Sequence, residues 1–559
     1  MQTLLLLSLV FAPLAFASVE PWAQAILQII AFISAARLYI EGRVLYPNPL
    51  YKNLLPAVLA VALIGLLQAL HENPVNSPSA LLFTAWRPAT LNAVHLWLFY
   101  AAVLFAVPQI INTPERFTKL MWTIFGMGVL VALLGMFQKT GENTIVYGLR
   151  KVQGEAFGPF INRDHGAHFL AMAAMAGLGI FFSGWRDLAA HKSRTRLFDL
   201  LAVQLLKLVM IATLIYGIYT TGSRGGLHSF AFAAALTGFI AAGFIRTRQF
   251  RLAGFLGMAV LLAAYGALVY NNKRLMGLKE GEFDRSVTIR FSMYKSGVEM
   301  LKDFPLLGTG LGAVEQAFPF YKSADVPALK VVTHVHSDWL ELFLQLGLLG
   351  GLIYIAGLAA ALWQAFATWR HCRSFRLKAL YGGALGAVAA ALCHNFVEFG
   401  SQMPANALYF YTLLGALASA PPAWAHRRLE EEDPPEPVHI RRHLRRAAAA
   451  AAAVLCLCTL PAVIGWYYNQ WAADANYPER VQRQSAALRW RPYPPYAWRL
   501  AAAHYNQAFA QPQQAPALLQ TAKETIKPWL QRVPADYDLG RLNYNIGYFL
   551  AHPPAAPKK

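Results

Sequence analysis

Apolar residues run along this chain in long blocks, separated by short polar or basic stretches. Thirteen blocks fall near 3–18, 22–40, 54–70, 91–107, 118–137, 167–183, 197–220, 226–244, 252–270, 339–365, 378–396, 403–420 and 447–466. A helical membrane span needs roughly 20 predominantly apolar residues, and most of these blocks come close to that. The pattern predicts an all-α, polytopic transmembrane helical bundle of about 12–13 spans. The first block alternatively reads as a signal peptide, because Ala15-Phe16-Ala17 resembles a cleavage site. It lacks the basic start of such a peptide, so a span is the preferred reading.

Between the blocks lie two longer polar regions. The loop 271–338 is expected to be large and extracytoplasmic. Within it, Val287, Arg290, Phe291, Tyr294, Val298 and Leu301 recur at helical spacing, which predicts an amphipathic helix lying on the membrane face. The tail 467–559 reads as a small helical domain. Pro492-Tyr493-Pro494-Pro495 before Ala497-Trp498-Arg499-Leu500-Ala501 gives it a tetratricopeptide-like rhythm over roughly one and a half units. The segment 429–438 reads as a charged, Pro-rich linker, and Pro553 to Lys559 as a frayed end.

Composition agrees with the pattern. Of 559 residues, 56% are hydrophobic and only 14% charged, where a soluble domain carries about 25%. That excludes a disordered chain and a simple soluble enzyme. The cysteines Cys372, Cys393, Cys456 and Cys458 form neither a disulfide framework nor a zinc pattern.

The net charge of +20 is distributed unevenly. Arg186, Lys192, Arg194 and Arg196 share one loop parity with Arg246, Arg248 and Arg251. Arg370, Arg373, Arg376 and Lys378 have the same parity, as do Arg427, Arg428, Arg441, Arg442, Arg445 and Arg446. The positive-inside rule makes that side the cytoplasm. With thirteen spans the N-terminus is inside and the tail outside. The outer loops are also basic, at Arg150, Lys151, Arg163, Arg224, Lys273, Arg274, Arg285, Arg290 and Lys295. This points to an anionic, extracytoplasmic partner such as a phosphate-bearing lipid or glycan, and away from nucleic acid.

Five clusters on that outer side carry candidate chemistry. Arg224 sits in Thr221-Gly222-Ser223-Arg224-Gly225-Gly226, just ahead of a span whose free N–H groups favour anions; the bland alternative is a snorkelling arginine. Arg290 lies among apolar residues of the amphipathic helix, with an ion pair to Asp284 or a phospholipid contact as its ordinary explanation. In Thr333-His334-Val335-His336-Ser337-Asp338-Trp339-Leu340-Glu341, Asp338 and Glu341 fit a capping box. His336 then stands before a helix N-terminus, where a neutral, proton-accepting imidazole is favoured. Arg163, His165 and His168 lead into the sixth span, against an Arg163–Asp164 contact as the plain reading. His394 and Glu398 stand four apart at the end of the eleventh, where a structural hydrogen bond along one helix face is expected. Asp536-Tyr537-Asp538 is a lone Asp-x-Asp in the tail. No nucleotide-binding loop, dinucleotide fingerprint or zinc-protease motif occurs.

These pieces resemble the O-antigen ligase/polymerase superfamily. The resemblance rests on Gly158-Pro159-Phe160-Ile161-Asn162-Arg163-Asp164-His165, on Thr221-Gly222-Ser223-Arg224-Gly225, and on Arg290 followed by Pro305-Leu306-Leu307-Gly308-Thr309-Gly310. It continues with His336-Ser337-Asp338-Trp339-Leu340-Glu341 and Leu346-Gly347-Leu348-Leu349-Gly350. His394-Asn395-Phe396-Val397-Glu398-Phe399 and Met403-Pro404-Ala405-Asn406-Ala407 complete it. The pieces occur in family order between about 155 and 415.

The resemblance implies a membrane glycosyltransferase in the bacterial cytoplasmic (inner) membrane, its site facing the periplasm. Residues 1–466 would form the ligase-like membrane domain, with 271–338 as the catalytic loop. Such enzymes move a glycan from undecaprenyl pyrophosphate to an acceptor: lipid A core, another lipid-linked glycan, or a protein. By resemblance His336 is the base on the acceptor hydroxyl, and Arg224 and Arg290 bind the donor pyrophosphate. Arg163, His165, His334 and His394 stand as supporting candidates. Ser337 stands where many relatives carry Asn. No cofactor or metal is expected, and direct displacement would invert the anomeric centre. A transporter of lipid-linked sugars is the rival class, but no internal two-fold hydropathy repeat appears. A scaffold whose tail recruits partners is a third.

Overall fold

The computed structural model describes residues 1–42, 52–73, 75, 81–141, 144–152, 154–185, 194–245, 248–271, 278–279, 282–326, 332–418, 440–532 and 537–552. Arg186, Lys192, Arg246, Lys273, Arg274, Arg427, Arg428, Asp536, the linker 429–438 and the end 553–559 lie outside them.

The chain is helical, and each predicted block is found as helix. In order these are α1 (Gln2–Leu14), α2 (Pro21–Ile40), α3 (Leu54–Gln68), α4 (Arg87–Ile110), α5 (Pro114–Gln138), α6 (Arg163–Ser183), α7 (Arg194–Thr221), α8 (Arg224–Gly243) and α9 (Arg248–Tyr270). The amphipathic helix is α10 (Arg285–Asp303). Then follow α11 (Asp338–His371), α12 (Phe375–His394), α13 (Pro404–Ala418), and α14 (Arg442–Leu457) with α15 (Leu460–Trp471). The tail holds α16 (Tyr477–Trp490), α17 (Pro494–Ala510), α18 (Ala515–Arg532) and α19 (Tyr537–Ala551). Among the described residues, nine helical segments are long and apolar enough to cross a membrane, α14 and α15 together counting as one. With its shorter apolar companions this makes the chain a multi-pass membrane protein.

Packing separates an inner from an outer set of helices. α6 is buried along most of its length, whereas no residue of α14 is buried. Leu201, Leu205, Leu206, Leu252, Leu256, Val260, Val454 and Leu457 present bare apolar surface outward, which water disfavours and lipid accepts. The tightest crossing is α6 on α12. A Cβ on Gly179 or Gly383 would come within 3.0 Å of the opposite backbone, so small residues let the two helices touch.

Several boundaries differ from expectation. The first helix stops at Leu14, and Phe16, Ala17 and Ser18 take positive φ. The helix expected from 226 starts at Arg224, whose predecessor Ser223 caps it by accepting from Gly226 N at 3.3 Å. The block 339–365 is not one straight helix. At Gly347 φ is +64° and ψ −171°, a region open essentially to glycine alone. The loop after α10 docks there: Leu348 N donates to Pro305 O at 2.7 Å, and Leu349 N to Leu306 O at 3.1 Å. α11 is thus a short half-helix, Asp338 to Leu346, and a longer one after the break. The block 447–466 divides into α14 and α15 at Cys458 and Thr459.

Two small hairpins, Ile145–Val146 with Arg150–Lys151 and Leu278–Lys279 with Glu282–Phe283, are antiparallel. The tail helices pack in sequence order, and their apolar faces join one cluster with Trp86, Met293, Met300, Val314 and Phe318. Trp86 lies 5.7 Å from Trp529, ring to ring. The tail therefore rests on the same end of the bundle as α10.

Candidate active site

The N-termini of α6, α8 and α11 and the C-terminus of α12 meet at one end of the bundle, as the loop parity requires. At their centre stands Glu398, 1% exposed. Its Oε2 accepts from Arg290 Nη2 at 2.9 Å, and its Oε1 lies 2.9 Å from His336 Nδ1. Arg290 Nη2 also reaches Asp164 Oδ2 at 3.4 Å. Burial alone would raise the Glu398 carboxyl. The His336 and Arg290 partners outweigh burial and hold it well below the usual carboxylate range, so Glu398 is an anion. Burial pushes the Arg290 guanidinium down, but Glu398 and Asp164 more than offset this and hold it above its ordinary value.

An anionic Glu398 selects one tautomer of His336. The carboxylate only accepts, so Nδ1 carries the proton that faces it, and Nε2 is the nitrogen left to exchange one. Among the described residues Nε2 meets no hydrogen-bond partner. His336 also has φ +54°, uncommon for a residue with a Cβ. Tyr294 holds this backbone by donating its hydroxyl to His336 O at 2.8 Å. Burial pushes the Tyr294 phenol up to about 12, which keeps it a donor. Strain of this kind persists where surrounding contacts over-determine it and is concentrated at functional sites.

Phe399 is the hub around which the histidines gather. His334 stacks on its ring at 4.2 Å, while His165 and His336 meet it edge-on at 4.6 and 5.2 Å. His334 Nδ1 lies 2.8 Å from Glu341 Oε1. Burial would lower the His334 imidazole, but the Glu341 carboxylate outweighs it and raises the group above its usual value. His165 Nε2 is 3.9 Å from Glu398 Oε1. His168 and His394 stack at 5.3 Å, both fully enclosed.

Four sequence expectations are corrected here. Ser337, not Asp338, caps α11, accepting from Leu340 N at 3.3 Å; Glu341 turns instead to His334, Val335 N and Gln345. His394 and Glu398 do not share a helix face, because α12 ends at His394 and Glu398 lies in the following turn. Arg290 pairs with Glu398 and Asp164 rather than Asp284. Arg163, the expected partner of Asp164, instead meets Glu155 at 2.7 Å.

Arg224 is linked to the start of α10. Its Nη1 is ion-paired with Asp284 Oδ2. Asp284 also caps α10, its Oδ1 accepting from Val287 N at 3.0 Å. Neighbouring Gly225 lies against the His394 ring, where a Cβ would come within 2.9 Å of Nε2. Behind α11's first turn is a cavity of about 130 Å³ lined by Trp97, Tyr100, Asp338, Trp339, Asn395 and Tyr411. Among the described residues no group of three or more His, Cys, Asp or Glu side chains has metal-binding geometry.

Glu398, Asp164 and Asp284 escaped the sequence reading as functional residues. The usable signal was Glu398 itself, a carboxylate flanked by Val397 and Phe399 at the end of an apolar span. An acid placed there is costly unless paired.

Residues 209–355 match the family model described as O-antigen ligase. The matched stretch contains Arg224, Asp284, Arg290, His334 and His336, and ends before His394 and Glu398. No curated protein matches the chain.

Proposed function

We propose, from the membership of the O-antigen ligase superfamily that this match supports, that the chain transfers a glycan from undecaprenyl pyrophosphate to a hydroxyl acceptor. That it is a membrane enzyme of the ligase/polymerase type is the premise. The donor, the acceptor side and the mechanism are the reading offered. The observation that carries it is the chain Arg290–Glu398–His336, in which one buried carboxylate links a guanidinium to a histidine with a free Nε2.

In this mechanism His336 Nε2 accepts the proton of the acceptor hydroxyl as its oxygen attacks the anomeric carbon. Glu398 keeps Nδ1–H in place and stabilises the imidazolium that forms. The bond from the anomeric carbon to the phosphate oxygen breaks, and charge collects on the diphosphate. Arg290 and Arg224 neutralise that charge, each contact contributing about 1.5–3 kcal/mol. Only the part gained in the transition state accelerates the reaction. A single displacement inverts the anomeric centre, and the arginines take the role a metal would otherwise fill. The donor lipid lies in the outer leaflet of the bacterial inner membrane, so the site faces the periplasm.

The test is purified protein with undecaprenyl-pyrophosphate-linked glycan and, in parallel, lipid A core, a second lipid-linked glycan, or a protein acceptor, with and without chelator. Transfer to one acceptor is expected, unaffected by chelator, with an inverted linkage by NMR. His336→Ala is expected to abolish transfer at normal protein levels. Wild-type transfer by that variant would overturn the reading.

A further inference from the structure

We infer that Asp284 is a displaceable stand-in for the donor's phosphate: it holds Arg224 in place until the diphosphate takes that arginine, and it reclaims Arg224 when the lipid diphosphate leaves. The inference rests on the donor-binding reading of Arg224 given above.

The two carboxylate oxygens of Asp284 do different jobs. Oδ1 accepts from Val287 N and starts α10. Oδ2 faces the Arg224 guanidinium on another helix. Capping needs only one oxygen, and Asn performs it as well as Asp. The second oxygen, and the negative charge, are therefore spare as far as α10 is concerned. They are spent on Arg224. That contact holds the Asp284 carboxyl below its ordinary value, although burial works against it.

The pair is placed to exchange. Its side chains keep 20% and 28% of their surface open, whereas the partner of Arg290, Glu398, is sealed at 1%. A partly open pair is reached and screened by water and ions more than one whose carboxylate is sealed. The two arginines are thus held differently: Arg290 chiefly by a buried anion that also serves the histidine, with Asp164 beside it at 3.4 Å, and Arg224 by a more accessible one. A diphosphate carries more charge than a carboxylate and offers an arginine bidentate contacts, so it competes well for Arg224. It competes poorly for the Arg290–Glu398 contact.

The arrangement also bears on turnover. A lone arginine cluster would retain the diphosphate-bearing product as tightly as the substrate. An anion on the same helix as Arg290 competes with that product at every cycle, as an intramolecular ligand at high effective concentration. Asp284 is on this account a positioning residue. It orients Arg224 in the empty site and limits how long the leaving lipid stays.

The experiment compares wild type, Asp284→Asn and Arg224→Ala in nanodiscs, reading donor KM, kcat and inhibition by added undecaprenyl pyrophosphate and inorganic pyrophosphate. Asp284→Asn keeps the cap and removes the charge. It is expected to lower donor KM and both inhibition constants by about 3- to 10-fold, with kcat falling where product release limits. A merely structural Asp284 would give unchanged or weaker inhibition, and that result overturns the proposal. Asp284→Glu, which restores the charge, is expected to return the inhibition constants toward wild type; failure to do so also counts against it. Arg224→Ala separates the two readings. If it loses pyrophosphate inhibition while Asp284→Asn behaves as wild type, the donor site stands and the exchange falls. If Arg224→Ala is inhibited like wild type, Arg224 does not bind the diphosphate and both fall.

Discussion

His336 Nδ1 lies 2.9 Å from Glu398 Oε1, across 62 residues of chain, in a structure where Glu398 is sealed from solvent. This relationship fixes which imidazole nitrogen can act. Replacing Glu398 by Gln keeps the shape but lets the side chain donate as well as accept, so the wrong tautomer becomes available. Glu398→Gln is expected to lower kcat by about 10²- to 10⁴-fold, with acceptor KM little changed. Steady-state transfer kinetics check this; a fall in KM terms alone would contradict it.

Arg290 and Arg224 are expected to differ in what their loss costs. Arg290→Ala leaves Glu398 with one partner fewer and should reduce stability by about 1–3 kcal/mol, besides weakening donor binding. Arg224→Ala removes a more open contact and should leave the melting temperature nearly unchanged. Arg224→Lys, which lacks the planar fork, should raise donor KM about tenfold. Thermal unfolding in detergent, beside donor titrations, separates these effects.

The His334–Glu341 pair makes a pH prediction of definite sign. The imidazole is raised above its unfolded value, so its stabilising effect is complete below the ordinary imidazole range and disappears as pH rises through the folded value. His334→Phe keeps an aromatic ring against Phe399 and removes the charge. The melting temperature of wild type should exceed that of the variant most at about pH 5 and converge with it by about pH 9. A constant gap across the range would mean that packing, not charge, is what His334 supplies.

Gly347→Ala tests the break in α11. A Cβ there would sit 2.2 Å from the Leu306 backbone, at a φ and ψ that alanine rarely takes. The variant should lose at least about 1–3 kcal/mol and, because the half-helix carries Glu341 and is capped by Ser337 next to His336, should also lower transfer. Proteolysis and activity at reduced temperature measure the two losses. Gly126→Ala, in open space on α5, is the control expected to be neutral.

The order and placing of the helices were legible in the sequence because membrane insertion reads local hydrophobicity: twenty apolar residues in a row carry their own instruction. Loop parity was enough to put Arg224, Arg290, His336 and His394 at one end, since each span reverses direction. The individual contacts were not legible. His394 and Glu398 looked like partners because they are four apart, yet the turn after α12 sends one to His168 and the other to His336 and Arg290. Arg290 looked like a partner for nearby Asp284, yet Asp164, 126 residues away, and Glu398, 108 away, are its acceptors. A buried charge finds whichever opposite charge the packed helices bring within reach. That depends on the crossing of α6 with α12 and on the docking of Pro305 and Leu306 at Gly347. Both are set by side-chain shape across the bundle, which a linear pattern of apolar and polar positions does not record.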